Sequence, residues 1–306
     1  MKNTVVVLMG GLSGERKISF LTGKACSAAL RKKGYKVIEM DAKGHFVENL
    51  RKLKPKKIFN ALHGQFGEDG FVQSIFEYMK IPYTHSGVLS SSLAMDKELS
   101  RIIFKKNKIR VPKYLVLFKN YEGNLKKKLL KSKIKYPIVI KPINEGSSLG
   151  VYICKNKIQF NKNYNKLRKI YDKILVEEYI PGKEIQVAVM GKKPLGAIEL
   201  LPRREFYDYK AKYSSKAKTK HILPASISKK KYKEALFLAK KAHNLLKCKG
   251  VTRSDFRLFK NKFYLLETNT QPGMTKLSLV PEIANFCGIK FEDLVSWMIR
   301  DASINR

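Results

Sequence analysis

The chain has 306 residues, 44% of them hydrophobic and 10% aromatic. That is enough to bury a sizeable core in two or three domains, and it is unlike a disordered, collagenous or mucin-like composition. No apolar run approaches the roughly 18 residues that span a bilayer, and the first one, Val5 to Met9, stops at a glycine pair without a signal-peptide pattern. The sequence therefore reads as a soluble cytoplasmic protein with no membrane partner. Cys26, Cys154, Cys248 and Cys287 lie far apart, which argues against a disulfide framework and against a zinc site.

Sixty-three Lys and Arg against 25 Asp and Glu leave a formal charge of +38. Such an excess suits a nucleic-acid binder. The excess is built from 51 Lys and only 12 Arg, however, whereas forked recognition of phosphates and bases favours Arg. With no basic tail and no aromatic RNA-binding pattern, the reading is a solvated lysine-rich surface and no specific nucleic-acid partner.

In chain order, strand and helix signals alternate at first: strand Thr4–Met9, a glycine loop, helix 15–33, strand Tyr35–Met40 and strand Lys57–Ala61. This is βαβ grammar and predicts a parallel sheet. His85, Ser86 and Gly87 followed by Ser90, Ser91 and Ser92 read as a turn-rich boundary. The divisions expected are 1–95, 96–180 and 181–306. The second unit carries helix Lys97–Lys106, strand Tyr114–Phe118, helix 125–131, strand Ile138–Lys141 and strand Ile174–Glu178. Pro181 and Gly182 open the third, with strands Ile185–Met190 and Leu195–Leu201, helix 231–246, strands Gly250–Phe259 and Lys262–Thr270, and two terminal helices. Residues 203–224 lack apolar periodicity and read as a long surface loop of the kind that serves as a lid.

Four places could carry chemistry. The run Glu145 to Gly150 follows a strand ending in Lys141; its small residues would let backbone N–H groups and the lysine cradle a phosphate, or simply make a turn. Arg253 and Asp255 on one strand, with Glu267 and Asn269 on the next, project to one sheet face because residues two apart do so. Asp255, Glu267 and Asn269 are hard oxygen donors suited to Mg²⁺ beside phosphates, or the face holds cross-strand ion pairs. His63 sits just after a parallel-type strand, where open α/β sheets bind ligands. Glu15, at a helix start, answers equally to the helix dipole.

Together these segments resemble the D-alanine–D-alanine ligases of the ATP-grasp superfamily, over nearly the whole chain. The matching runs are Gly10 to Arg16, Ala61 to Gly64 with Gly67 to Gly70, Tyr83 to Gly87 with Met95 to Lys97, Lys141 to Gly150, Phe206 to Tyr213, Arg253 to Asp255 and Glu267 to Thr275. The resemblance implies a mixed α/β, three-domain ATP-grasp architecture with an N-terminal parallel sheet, and ligation of two D-alanines through a D-alanyl phosphate at the expense of ATP, in cell-wall precursor synthesis. It assigns Glu15 to the first ammonium, His63 to its carboxylate, and Arg253 with the Gly273 N–H to the oxyanion. Lys97, Lys141 and Ser148 fall to the ATP phosphates, Glu177, Glu178, Tyr179 and Ile180 to adenine, and Glu184 to ribose. Asp255, Glu267 and Asn269 would hold two Mg²⁺ or Mn²⁺ ions, and Lys212, Ser278 and Leu279 the second D-alanine. Tyr213 would bond Ser147, and Ser147 Glu15, closing the lid. A homodimer is the family's assembly. The rivals are a D-alanine–D-lactate or D-serine ligase and, from another class, a basic nucleic-acid-binding protein on the same fold.

Overall fold

A computed structural model describes residues 4–201, 219–275 and 277–306. Lys212, Tyr213 and most of the expected lid lie outside these residues. The N-terminal sheet is parallel, in the order β2-β1-β3, from β1 (Thr4–Met9), β2 (Lys36–Asp41) and β3 (Lys57–Asn60). Helices α1 (Arg16–Lys32), α2 (Phe46–Leu53) and α3 (Phe71–Tyr78) accompany it. All of β1 is buried, as a strand covered on both faces must be, which explains its unbroken apolar run.

A second sheet is antiparallel, with order β4-β7-β5-β6, from β4 (Tyr114–Phe118), β5 (Ile138–Pro142), β6 (Tyr152–Cys154) and β7 (Lys173–Glu178). Two helices flank it, α6 (Leu125–Lys131) and α7 (Lys157–Leu167). The third sheet, also antiparallel, follows the order β10-β9-β8-β11-β12. Its strands are β8 (Lys183–Met190), β9 (Lys193–Leu201), β10 (Lys220–Ile222), β11 (Val251–Phe259) and β12 (Lys262–Asn269). Its helices are α8 (Lys229–Leu245), α9 (Leu279–Phe286) and α10 (Phe291–Asp301). The fold is thus mixed α/β, as expected. Among the described residues no helix is long and apolar enough to cross a membrane.

Two expectations fail. Lys220–Ile222, expected within the surface loop 203–224, form β10, because their backbone pairs antiparallel with β9. The serine-rich stretch after Gly87 is a helix, α4 (Val88–Met95), leading through Asp96 into α5 (Lys97–Lys106). Hydroxyls that would compete with a helix in isolation are satisfied here by tertiary partners: Ser90 Oγ donates to the Lys247 carbonyl at 2.8 Å and Ser92 Oγ to the Asp69 carbonyl at 2.6 Å. Asp96 caps α5 by accepting the Glu98 and Leu99 N–H groups, the local bond that fixes the first helical turn.

The chain's end returns to its beginning. Helix α10 packs against α1, and one core joins Val5, Val7 and Leu30 to Leu279, Ile283, Val295 and Ile299. Arg306 donates from Nε to the His85 carbonyl at 2.5 Å and from Nη2 to Asp301 at 2.5 Å.

Candidate functional site

Two open clefts meet where the three sheets converge. One is lined by Lys97, Lys141, Ser148, Glu177 to Ile180, Glu184, Asp255 and Glu267. The other is lined by Glu15, His63, Glu68, Ser147, Arg253, Asn269 and Gly273. Lys97, Glu145 and Glu267 belong to both, so a group passed from one cleft to the other would cross between these side chains.

In the first cleft the cations are held by buried acids. Lys141 Nζ lies 2.9 Å from Glu177 Oε1, and Arg101, buried and absent from the sequence-based candidates, pairs with Glu177 Oε2. Burial pushes the Glu177 carboxyl up, but Arg101 and Lys141 outweigh it and hold the group below its usual range. Lys97 donates to the Glu145 carbonyl at 2.5 Å and approaches Glu267 to 4.0 Å. Burial pushes its ammonium down to about 8, Glu267 opposing and Lys141 and Arg101 reinforcing the shift. Glu178 faces the Lys113 N–H at 2.9 Å, and the Tyr179 N–H donates to the Pro137 carbonyl at 3.2 Å. Glu184 pairs with Arg257 at 3.0 Å, a partner the sequence reading did not name.

The second cleft is built from tight turns. Glu15, just before α1, is buried, and its Oε1 accepts from Ser147 Oγ. Gly64 and Gly146 leave room for the same carboxylate: a Cβ at either would stand 2.8 or 2.9 Å from Glu15 Oε2. Ser147 and Ser148 hold left-handed backbone at φ 48° and 60°, which lifts the loop over Glu15 at a conformational cost. His63 meets Glu68 Oε1 through Nδ1 at 2.8 Å and Thr22 Oγ1 through Nε2 at 2.9 Å. Burial disfavours its charged form, yet the Glu68 bond and charge, with Glu15, leave its pKa raised. Since both ring nitrogens have protein partners, His63 is a fixed ring on the cleft wall more than a free donor. Neither Glu68 nor Thr22 was among the candidates; only the fold brings them to the ring.

On the third sheet Arg253 stands opposite Asn269 and Asp255 opposite Glu267, the shared face that the two-residue spacing predicts. A register shift beyond Asp255 pairs Phe256 with Leu265, leaving Leu266 as the extra residue of a bulge that lines the first cleft. Arg253 grips Asp255 at 2.7 and 3.0 Å, so two residues expected in separate roles form one pair. Among the described residues no three His, Cys, Asp or Glu side chains converge as a metal site; the expected set is two carboxylates and an amide. Ser278 and Leu279 line neither cleft. Ser278 Oγ accepts from the Thr275 N–H at 2.9 Å and would lie 3.0 Å from a Cβ on Gly273. The Leu279 side chain is buried in the core, leaving its backbone at the start of α9 as what it can present.

Residues 103–300 match the family described as D-ala D-ala ligase C-terminus. The chain is 56% identical over 307 residues to the D-alanine–D-alanine ligase of Pelagibacter ubique, covering 100% of both chains. A crystal structure of the D-alanine–D-alanine ligase from Bacillus anthracis superposes with a TM-score of 0.87 at 31% identity, covering 98% of this chain and 97% of that one. A D-alanine–D-alanine ligase from Bacillus anthracis complexed with ATP gives 0.85 at 27% identity, with the same coverage. With its motifs in order, its three sheets and its paired clefts, the chain belongs to the D-alanine–D-alanine ligase family.

Proposed function

We propose that the chain joins two D-alanines at the expense of ATP, in the cytoplasm and as a homodimer, with units at 1–95, 96–180 and 181–306 contributing to one site. The single observation that carries the site assignment is the meeting of the two clefts at Lys97, Glu145 and Glu267. ATP in the first would present its γ-phosphate to a carboxylate held in the second. Lys97 and Lys141 lie along that path as phosphate-binding cations, with the backbone at Ser148 beside them. The strand end Glu177 to Ile180 forms the adenine wall, and Glu184 faces the ribose.

Glu15 receives the ammonium of the first D-alanine, and His63 sits beside its carboxylate as the phosphate develops there. A carboxylate oxygen of that D-alanine attacks the γ-phosphorus as the bond to ADP breaks, giving an acyl phosphate. The amine of the second D-alanine, oriented by Ser278, the backbone at Leu279 and Lys212, then attacks the acyl carbon. Arg253 and the Gly273 N–H take up the oxyanion as it forms. Collapse expels phosphate, and the amine loses a proton to give the amide. Activation in this order replaces a carboxylate, which has no usable leaving group, by one that has. Ser147 bonded to Glu15, and Tyr213 bonded to Ser147, would close the loops over the intermediate and keep water from it. Asp255, Glu267 and Asn269 fit a divalent-cation site as a hard-oxygen set on one sheet face. Two Mg²⁺ ions bound there would neutralise the triphosphate.

The test is release of ADP and phosphate from ATP with D-alanine, L-alanine or no amino acid, alongside Arg253→Ala. D-alanine-dependent turnover lost in the variant is the expected result; a chain that releases no ADP with D-alanine contradicts the reading. Excess depsipeptide in a competition of D-alanine with D-lactate at low pH would assign the chain to the other branch.

A further inference from the structure

A buried amide pair joins the two loops that frame the amino-acid cleft. Asn60, the last residue of β3, and Gln271, two residues beyond the end of β12, are separated by 211 positions and are almost fully buried. Asn60 Nδ2 donates to Gln271 Oε1 at 2.8 Å and to the Gly67 carbonyl at 3.1 Å, while its Oδ1 accepts the Leu62 N–H at 3.2 Å. Gln271 Nε2 donates to the Leu62 carbonyl, and the Gln271 N–H donates to Asn269 Oδ1 at 2.7 Å. Each of these bonds ends beside, or on, a residue of the cleft. Leu62 precedes His63, Gly67 precedes the Glu68 that holds it, and Asn269 and Gly273 flank Gln271 on either side. Both hydrogens and the oxygen of the Asn60 amide are used, so an isosteric Asp has no way to reproduce the set.

We propose that Asn60 and Gln271 are positioning residues for the ligation: the amide bridge fixes the His63–Glu68 loop against the turn carrying Asn269 and Gly273. It thereby sets the first D-alanine against the groups that receive the oxyanion. The side-chain bonds of the bridge reach neither Lys97 nor Lys141, and the bond to the expected metal ligand Asn269 comes from the Gln271 backbone N–H, which a side-chain substitution retains, so the substitutions below act first on the amino-acid side. This inference rests on the ligase reading above.

The experiment compares wild type, Asn60→Asp, Gln271→Met and the double variant with Leu50→Ala, a buried core change on the N-terminal sheet outside the site. Steady-state ADP release at varied D-alanine is measured well below each unfolding temperature, with nucleotide affinity taken from direct ATP titration. Both single variants are expected to lose roughly 10- to 100-fold in kcat/KM for the first D-alanine, as a misplacement of up to an ångström would cause. ATP affinity should stay within about twofold, and the double variant should be no worse than the poorer single one, because the pair acts as a unit. Leu50→Ala should keep its kcat/KM despite its lower melting temperature. Losses that add, that fall equally on ATP affinity, or that Leu50→Ala reproduces overturn the proposal. If Asn60→Asp does not fold, Gln271→Met alone carries the same comparison. Wild type without D-alanine-dependent turnover overturns the ligase reading itself, whereas active wild type with unaffected variants overturns only the bridge.

Discussion

Replacing Gly146 by Ala tests the cradle around Glu15. The new Cβ would lie 2.9 Å from Glu15 Oε2, 3.8 Å from its Cδ and 4.0 Å from Glu68 Oε2, where ordinary contact begins near 3.4 Å. The carboxylate is buried and tied to Ser147, so relief means moving the group that orients the first ammonium by about half an ångström. If a full ångström costs about a hundredfold, half costs roughly tenfold, or about 1.4 kcal/mol of transition-state stabilisation. Gly146 has no positive φ, so the backbone accepts Ala and the melting temperature should barely change. Gly64→Ala meets the same oxygen at 2.8 Å but from φ +73°, and should lose about 1 to 2 kcal/mol of stability as well. The assay is ADP release with D-alanine varied at saturating ATP. A folded Gly146→Ala with unchanged kcat/KM for D-alanine refutes the claim that the Glu15 carboxylate needs this space.

Lys97, pushed down to about 8 by burial, must be protonated to bind phosphate, so kcat/KM for ATP should fall as pH rises through about 8. Its unfolded form keeps the proton up to 10.5, and above pH 8 the unfolded state binds more protons than the folded one. Stability contributed by this group therefore rises between those two values, by about 3 kcal/mol in all. Lys97→Met should remove both inflections, measured by pH-rate profiles and urea unfolding; a profile that keeps them assigns them elsewhere. Arg101→Met leaves the buried Glu177 with Lys141 alone and should cost about 3 to 5 kcal/mol in urea unfolding, part of it restored by adding Glu177→Gln. A loss below about 1 kcal/mol would mean that Arg101 does not hold that charge.

The local patterns were legible because they depend on short-range geometry. The run from Tyr114 to Phe118 and the helix from Leu125 to Lys131 fall where apolar spacing puts them. The shared face of Arg253, Asp255, Glu267 and Asn269 follows from strand period and hairpin pairing. Helix α4 was not legible, since the hydroxyls of Ser90 and Ser92 find carbonyls of Lys247 and Asp69 that only the tertiary structure brings to them. Nor was Arg101, whose place on α5 looks like any other basic position until Glu177 is brought beneath it by the second sheet.

The sequence by itself determined the parallel start, the glycine-rich turns and the kinds of group available to each cleft, because backbone conformation and side-chain alternation are set within a few residues. Only the tertiary structure decided which of those groups meet. Glu177 lies between Lys141 and Arg101, Arg253 is bound to Asp255, and Asn60 bonds Gln271 across 211 positions. Such partners are chosen by how the three sheets pack, since a buried polar atom must find whichever complement the packing supplies.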